Sequence, residues 1–190
     1  MKRFRPALKG FFGKLPARGD FVRAGLPEEV VAPLDLWCRK CIIASRAALG
    51  ADWEQAWMTA PIWRFLLPRG ACGASALLGV WLPSMDKTGR HYPFVLCAVA
   101  DDVSVLAAGG NWLALAEAEG LAGVVADKPH ATIASALQAP VTPAPLPAPG
   151  WWTQGNKLVQ PQRLDIPALL PAATHARVML RDTQAAEKTC

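Results

Sequence analysis

Apolar residues recur along this chain in two rhythms, and each rhythm predicts an element. Over residues 33–49, Leu34, Trp37, Cys41, Ala44 and Ala48 fall at three- and four-residue steps and line one face of a helix. Pro27 and Pro33 each suit a first helical turn, where the donor that proline lacks is unpaired anyway. Gly50 ends that segment. ADWEQAWM predicts a further short helix with Asp52 near its N-terminus. After the Gly109-Gly110 break, NWLALAEAEGLAGVVA is helical in period with Asn111 as N-cap, and HATIASALQ gives a shorter helix behind Pro129. Strand formers dominate GFFGKL (10–15), PIWRFLL (61–67), ASALLGVWL (74–82) and PFVLCAVA (93–100). The last is apolar throughout, as a central strand covered on both faces must be.

Residues 139–150, APVTPAPLPAPG, hold five prolines and predict an extended, polyproline-like tether. It leads to a tail in which WWTQGN reads as a strand, LDIPALL as a short helix and ARVML as a last strand. Strands interleaved with helices give an α/β fold: a mixed central sheet with helices on both faces. The 190 residues fit one domain, 1–190, with the proline-rich stretch as an internal bridge and 151–190 as its C-terminal part.

Composition narrows the function classes. A hydrophobic fraction of 52% against 18% charged excludes disorder over the whole length. The net charge of +5 is scattered along the chain, without the basic stripe interleaved with aromatics that nucleic-acid binding needs. No run of 18 apolar residues predicts a membrane span. The basic start is interrupted by Lys9 and Lys14, which argues against a secretory signal and for a cytoplasmic protein. Cys38, Cys41, Cys72, Cys97 and Cys190 are odd in number with no framework spacing, so reduced thiols are expected. Eight tryptophans are enough to fill a core and leave one or two for a binding surface.

Four short motifs suggest chemistry, and each fails on its spacing or its context. In GKLPARGDF (13–21) the Gly-Lys pair comes first, Leu15 stands where a phosphate loop needs Ser or Thr, and Pro16 deletes a donor. Arg18-Gly19-Asp20 as an adhesion signal needs an extracellular loop. The alternative is a turn at Gly19 with Asp20 accepting backbone hydrogen bonds. Trp37-Cys38-Arg39-Lys40-Cys41 copies a redox W-C-x-x-C, but it lies a full turn or more inside its helix, away from the terminus that would lower a thiol pKa. Ser84, Asp86 and His91 are close in sequence without a nucleophile-elbow G-x-S-x-G. No second Cys/His pair completes a metal site. A thiol-redox or hydrolytic enzyme using Cys38 and Cys41 or the 84–91 loop is therefore the alternative reading. The primary one is a protein with no catalytic constellation, no cofactor and no metal.

Three blocks in order carry a sharper signal: GFFGKLPARGDFVRAGLP (10–27), PSMDKTGRHYPF (83–94) and WWTQGN (151–156). APIWRFLL and CGASALLGVWLPS lie between the first two. The series resembles the TagF family, accessory proteins of bacterial type VI secretion systems. The stretch between the 111–126 helix and Trp151 is shorter than the family leads one to expect. The resemblance implies a cytoplasmic three-layer αβα sandwich without enzymatic activity. It further implies a post-translational negative regulator that engages a forkhead-associated scaffold protein. On this reading Lys14, Arg18, Asp20, Phe21 and Arg23 belong to one motif turn, Ser84, Asp86 and Arg90 to a second, and Trp151 and Trp152 to a third. The expectation is that the three meet at one edge of the sheet. Asp20 or Asp86 would pair with Arg90 or Arg18 to fix the loops, and one Trp would face a partner.

Overall fold

The computed structural model describes residues 4–181. Seven strands form one sheet: β1 (Leu8–Gly13), β2 (Val22–Ala24), β3 (Trp63–Leu67), β4 (Ala76–Leu82), β5 (Phe94–Ala100), β6 (Gly150–Thr153) and β7 (Gln162–Leu164). Their order is β2-β1-β5-β4-β3-β6-β7. All six pairings are antiparallel, so the mixed sheet expected from the sequence is corrected. The apolar run in β5 reflects cover on both faces. Strand direction comes from the connections, and β1–β2, β3–β4 and β4–β5 are each joined by short loops that reverse the chain.

Period-two alternation sorts the strand side chains into two cores. Phe12, Phe65, Leu77, Trp81, Val95, Cys97 and Trp151 pack with α1 (Glu28–Leu49), α2 (Trp53–Met58) and the tail. Phe11, Leu66, Leu78, Val80, Leu96 and Ala98 pack with α3 (Val103–Leu106), α4 (Gly110–Val125) and α5 (His130–Leu137). Every residue of β4 and β5 is buried. Of the eight tryptophans, only Trp152 escapes full burial, so the tryptophans chiefly fill the core. No helix among the described residues is long and apolar enough to cross a membrane.

Several boundaries move for identifiable reasons. α1 starts at Glu28 rather than Pro33. Pro27 caps it, and its carbonyl accepts from the Val30 and Val31 N–H groups. Pro33 thus sits inside the helix, where it removes one backbone bond while Val30, Val31 and Leu34 bury beneath it. At α4 the N-cap is Gly109. Asn111 instead donates through Nδ2 to the Thr142 carbonyl and hydroxyl at 3.1 and 2.9 Å. The proline-rich stretch is therefore stitched to the body and is no free tether: Ala144 and Leu146 N–H groups donate to the Ala108 and Ala107 carbonyls. In the tail, LDIPALL forms no helix and ARVML no strand. A short α6 (Ala172–His175) runs into a π-helical turn over Ala176–Leu180. Cys190 lies outside the described residues.

Candidate functional site

The first two sequence blocks meet at one end of the sheet. β1 ends at Gly13 and β4 at Leu82, and antiparallel pairing with β5 brings both ends to Phe94. Gly13 makes the exit possible: its φ is +133°, and a Cβ there would lie 2.1 Å from the Pro93 carbonyl oxygen. Beyond it the chain turns over Leu15–Arg18, with Pro16 in the turn and the Arg18 N–H on the Leu15 carbonyl at 2.9 Å. The tight turn thus falls at Pro16-Ala17. Gly19 contributes its carbonyl instead.

Asp86 is the pin between the two turns. Its side chain is fully buried and takes five donors. Lys14 Nζ reaches Oδ2 at 2.9 Å and Arg90 Nε reaches it at 2.7 Å. Oδ1 accepts from the Thr88 N–H and hydroxyl and from the Arg90 N–H, at 2.9, 2.7 and 3.0 Å. Burial by itself would raise this carboxyl. The hydrogen bonds from Lys14, Thr88 and Arg90 outweigh it and hold the group well below the usual carboxylate range. Arg90 then spans to the other turn, with Nη2 on the Gly19 carbonyl at 2.6 Å. Main-chain contacts complete the lock. The Lys87 N–H donates to the Arg18 carbonyl at 2.9 Å, and the buried Ser84 hydroxyl donates to the Lys14 carbonyl at 2.8 Å.

The remaining motif residues divide between surface and core. Asp86 pairs with Arg90 as expected, whereas Asp20 and Arg18 are exposed and make no ion pair among the described residues. Arg23 is exposed and pairs with Glu28. Phe21 is 48% exposed, with its ring edge-on to Tyr92 at 4.5 Å and Lys14 Nζ 5.3 Å from its centre. Trp151 is fully buried against Trp37 and Phe65 and donates to the Ala168 carbonyl, so of the two tryptophans it is the one that serves the core. Trp152, half-buried, faces the opposite side of β6, beside the Arg64–Glu117 ion pair. The WWTQGN block reaches the same end of the sheet through Thr153, whose hydroxyl donates to the Ile62 carbonyl, but it makes no hydrogen bond to the two turns among the described residues. Thr88 stands outside the predicted motif residues, although Asp-x-Thr-Gly favours an aspartate that folds back on its own turn.

The alternative chemistries lose their reactive groups. Cys38 and Cys41 are both buried in the core. Burial, with Cys41 and Asp35 nearby, pushes the Cys38 thiol well up, and burial pushes Cys41 up to about 12. Neither forms an accessible thiolate at neutral pH. Ser84 spends its proton on the Lys14 carbonyl and makes no hydrogen bond to His91 among the described residues. His91 packs edge-on against Trp53 at 5.1 Å, and burial lowers its pKa. Among the described residues no group of three or more His, Cys, Asp or Glu side chains is placed to hold a metal ion.

The family model for the TagF N-terminal domain, type VI secretion system-associated, matches residues 10–140, which include both interlocked turns. The chain belongs to the TagF family. A structural likeness extends past that segment. PA0076 from Pseudomonas aeruginosa PAO1, known from its crystal structure, is 30% identical and superposes with a TM-score of 0.76 over 89% of this chain and 92% of its own. No curated protein matches this chain.

Proposed function

We propose that this chain is a non-enzymatic, cytoplasmic binding module that restrains a bacterial type VI secretion system after translation by docking on its forkhead-associated scaffold protein. The observation that carries the reading is the Asp86 pin. Five donors on one buried carboxylate hold two exposed, charged turns in a single shape. At that junction the carboxylate is fully engaged, and the thiols of Cys38 and Cys41 are buried. A pair of prearranged turns that presents Arg18, Asp20, Phe21 and Arg90 suits recognition, because a partner then meets loops already ordered. The family's association with type VI secretion supports the setting. The two separate cores on either side of the sheet support a three-layer αβα arrangement, and the pairing of β6 with β3 supports a single domain.

Co-purification from cells carrying the secretion system tests this. Asp20→Ala and Arg90→Ala, checked to be folded, are expected to lower recovery of the scaffold protein by about tenfold or more relative to wild type. Unchanged recovery with both variants would remove these turns from the interface.

A further inference from the structure

Two hollows flank the interlocked turns. The first, of about 370 Å³, is lined by Pro16, Met58, Leu82, Met85, Leu121 and Val125, and no ionisable side chain lines it. The second, of about 450 Å³, is lined by Arg18, Asp20, Phe21, Arg23, Lys87 and His130. They adjoin along the chain, since Pro16 lines one and Ala17 the other, just as Met85 lines one and Lys87 the other. Nine large hydrophobic side chains are exposed among the described residues, and four of them, Phe21, Met58, Leu121 and Val125, line these two hollows. Such concentration marks an interaction surface.

The charge next to the apolar hollow has one sign in excess. Arg18 and Lys87 are exposed and enter no ion pair among the described residues, against the one carboxylate of Asp20 in that lining, while Arg23 beside them is paired with Glu28. We propose that this bipartite surface binds an acidic segment of a partner protein, seating an apolar side chain in the first hollow and its flanking carboxylates in the second. The inference rests on the binding-module reading above and names the chemistry that its partner presents. Charge complementarity selects the occupant: a basic or neutral segment would leave Arg18 and Lys87 unmatched beside it. Alanine at either position spares the lock, because Arg18 and Lys87 contribute to it through main-chain atoms.

Fluorescence anisotropy of the full chain with a labelled eight-residue glutamate peptide carrying two central leucines tests the proposal. Binding is expected. It should weaken about tenfold or more in Arg18→Ala/Lys87→Ala, weaken when the leucines become alanines, and fall as salt rises and the screening length shortens. Arg69→Ala, in the turn at the opposite end of β3 and β4, should leave it unchanged. Equal binding of a lysine peptide, indifference to the double variant in folded protein, or no binding at all would overturn the proposal. So would binding to vesicles containing phosphatidylglycerol without binding to the peptide, which would assign the surface to a membrane. Intact scaffold recovery with failed peptide binding would sink only this inference. Peptide binding with scaffold recovery unaffected by Asp20→Ala and Arg90→Ala would sink only the assigned partner.

Discussion

Asp86 concentrates the residue-scale physics. A carboxylate this buried survives as an anion only because two cations and three further donors surround it. Its folded pKa is depressed, so the stability it contributes is present above the unfolded value of about 3.9 and is lost as pH falls below it. Asp86→Asn keeps the shape but loses the charge. Its melting temperature at pH 7 is expected to fall by about 10 °C, with a shallower loss than wild type below pH 4; calorimetry across pH measures both. The local half of this arrangement was legible, since Asp86, Thr88 and Arg90 are neighbours in a turn with Gly89 at φ +81°. The partner Lys14, 72 residues away, was placed in a motif but not at this carboxylate. Periodicity carries no information about which distant loop closes on which.

Among the elements, the tail shows how tertiary contacts override local signals. ARVML has the composition of a strand, yet Ala176, Met179 and Leu180 are buried along a helical turn beneath α1. Tryptophans hold the tail in place. Trp37, Trp63 and Trp151 donate their indole N–H groups to the carbonyls of Leu170, Met179 and Ala168 at 2.7, 3.2 and 2.8 Å. His175 is sealed among them, edge-on to Trp81 and Trp37, and neither ring nitrogen has a partner among the described residues. Burial lowers its pKa to about 3. Below pH 6.5 the unfolded chain therefore binds a proton that the folded chain refuses until about pH 3, and stability drops with falling pH across that window. His175→Phe removes this term. At pH 5 it is expected to gain about 2 kcal/mol relative to its effect at pH 8, read from denaturant melts at the two pH values.

At the scale of the whole molecule, the sheet crosses the family boundary at residue 140: β6 pairs with β3, and Trp151, Val159, Leu170, Met179 and Leu180 complete the core over α1. Each of these side chains is worth about 1.5–3 kcal/mol or more in burial, and together they match a whole domain's net stability of about 5–15 kcal/mol. A chain ending at 140 is expected to lose its near-ultraviolet circular dichroism and bind a hydrophobic dye, while the full chain should do neither. The sequence by itself determined the helices and the long strands, because burying one face or two leaves a period of 3.6 or a continuous apolar run in the residues themselves. It also determined that the turns at 13–23 and 84–90 are special, through their glycines, prolines and charges. Only the tertiary structure decided the antiparallel direction, the helical tail and the meeting of Lys14 with Asp86. Those depend on contacts between residues far apart in the chain, whose energy is set by shared burial and leaves no periodic trace in either partner alone.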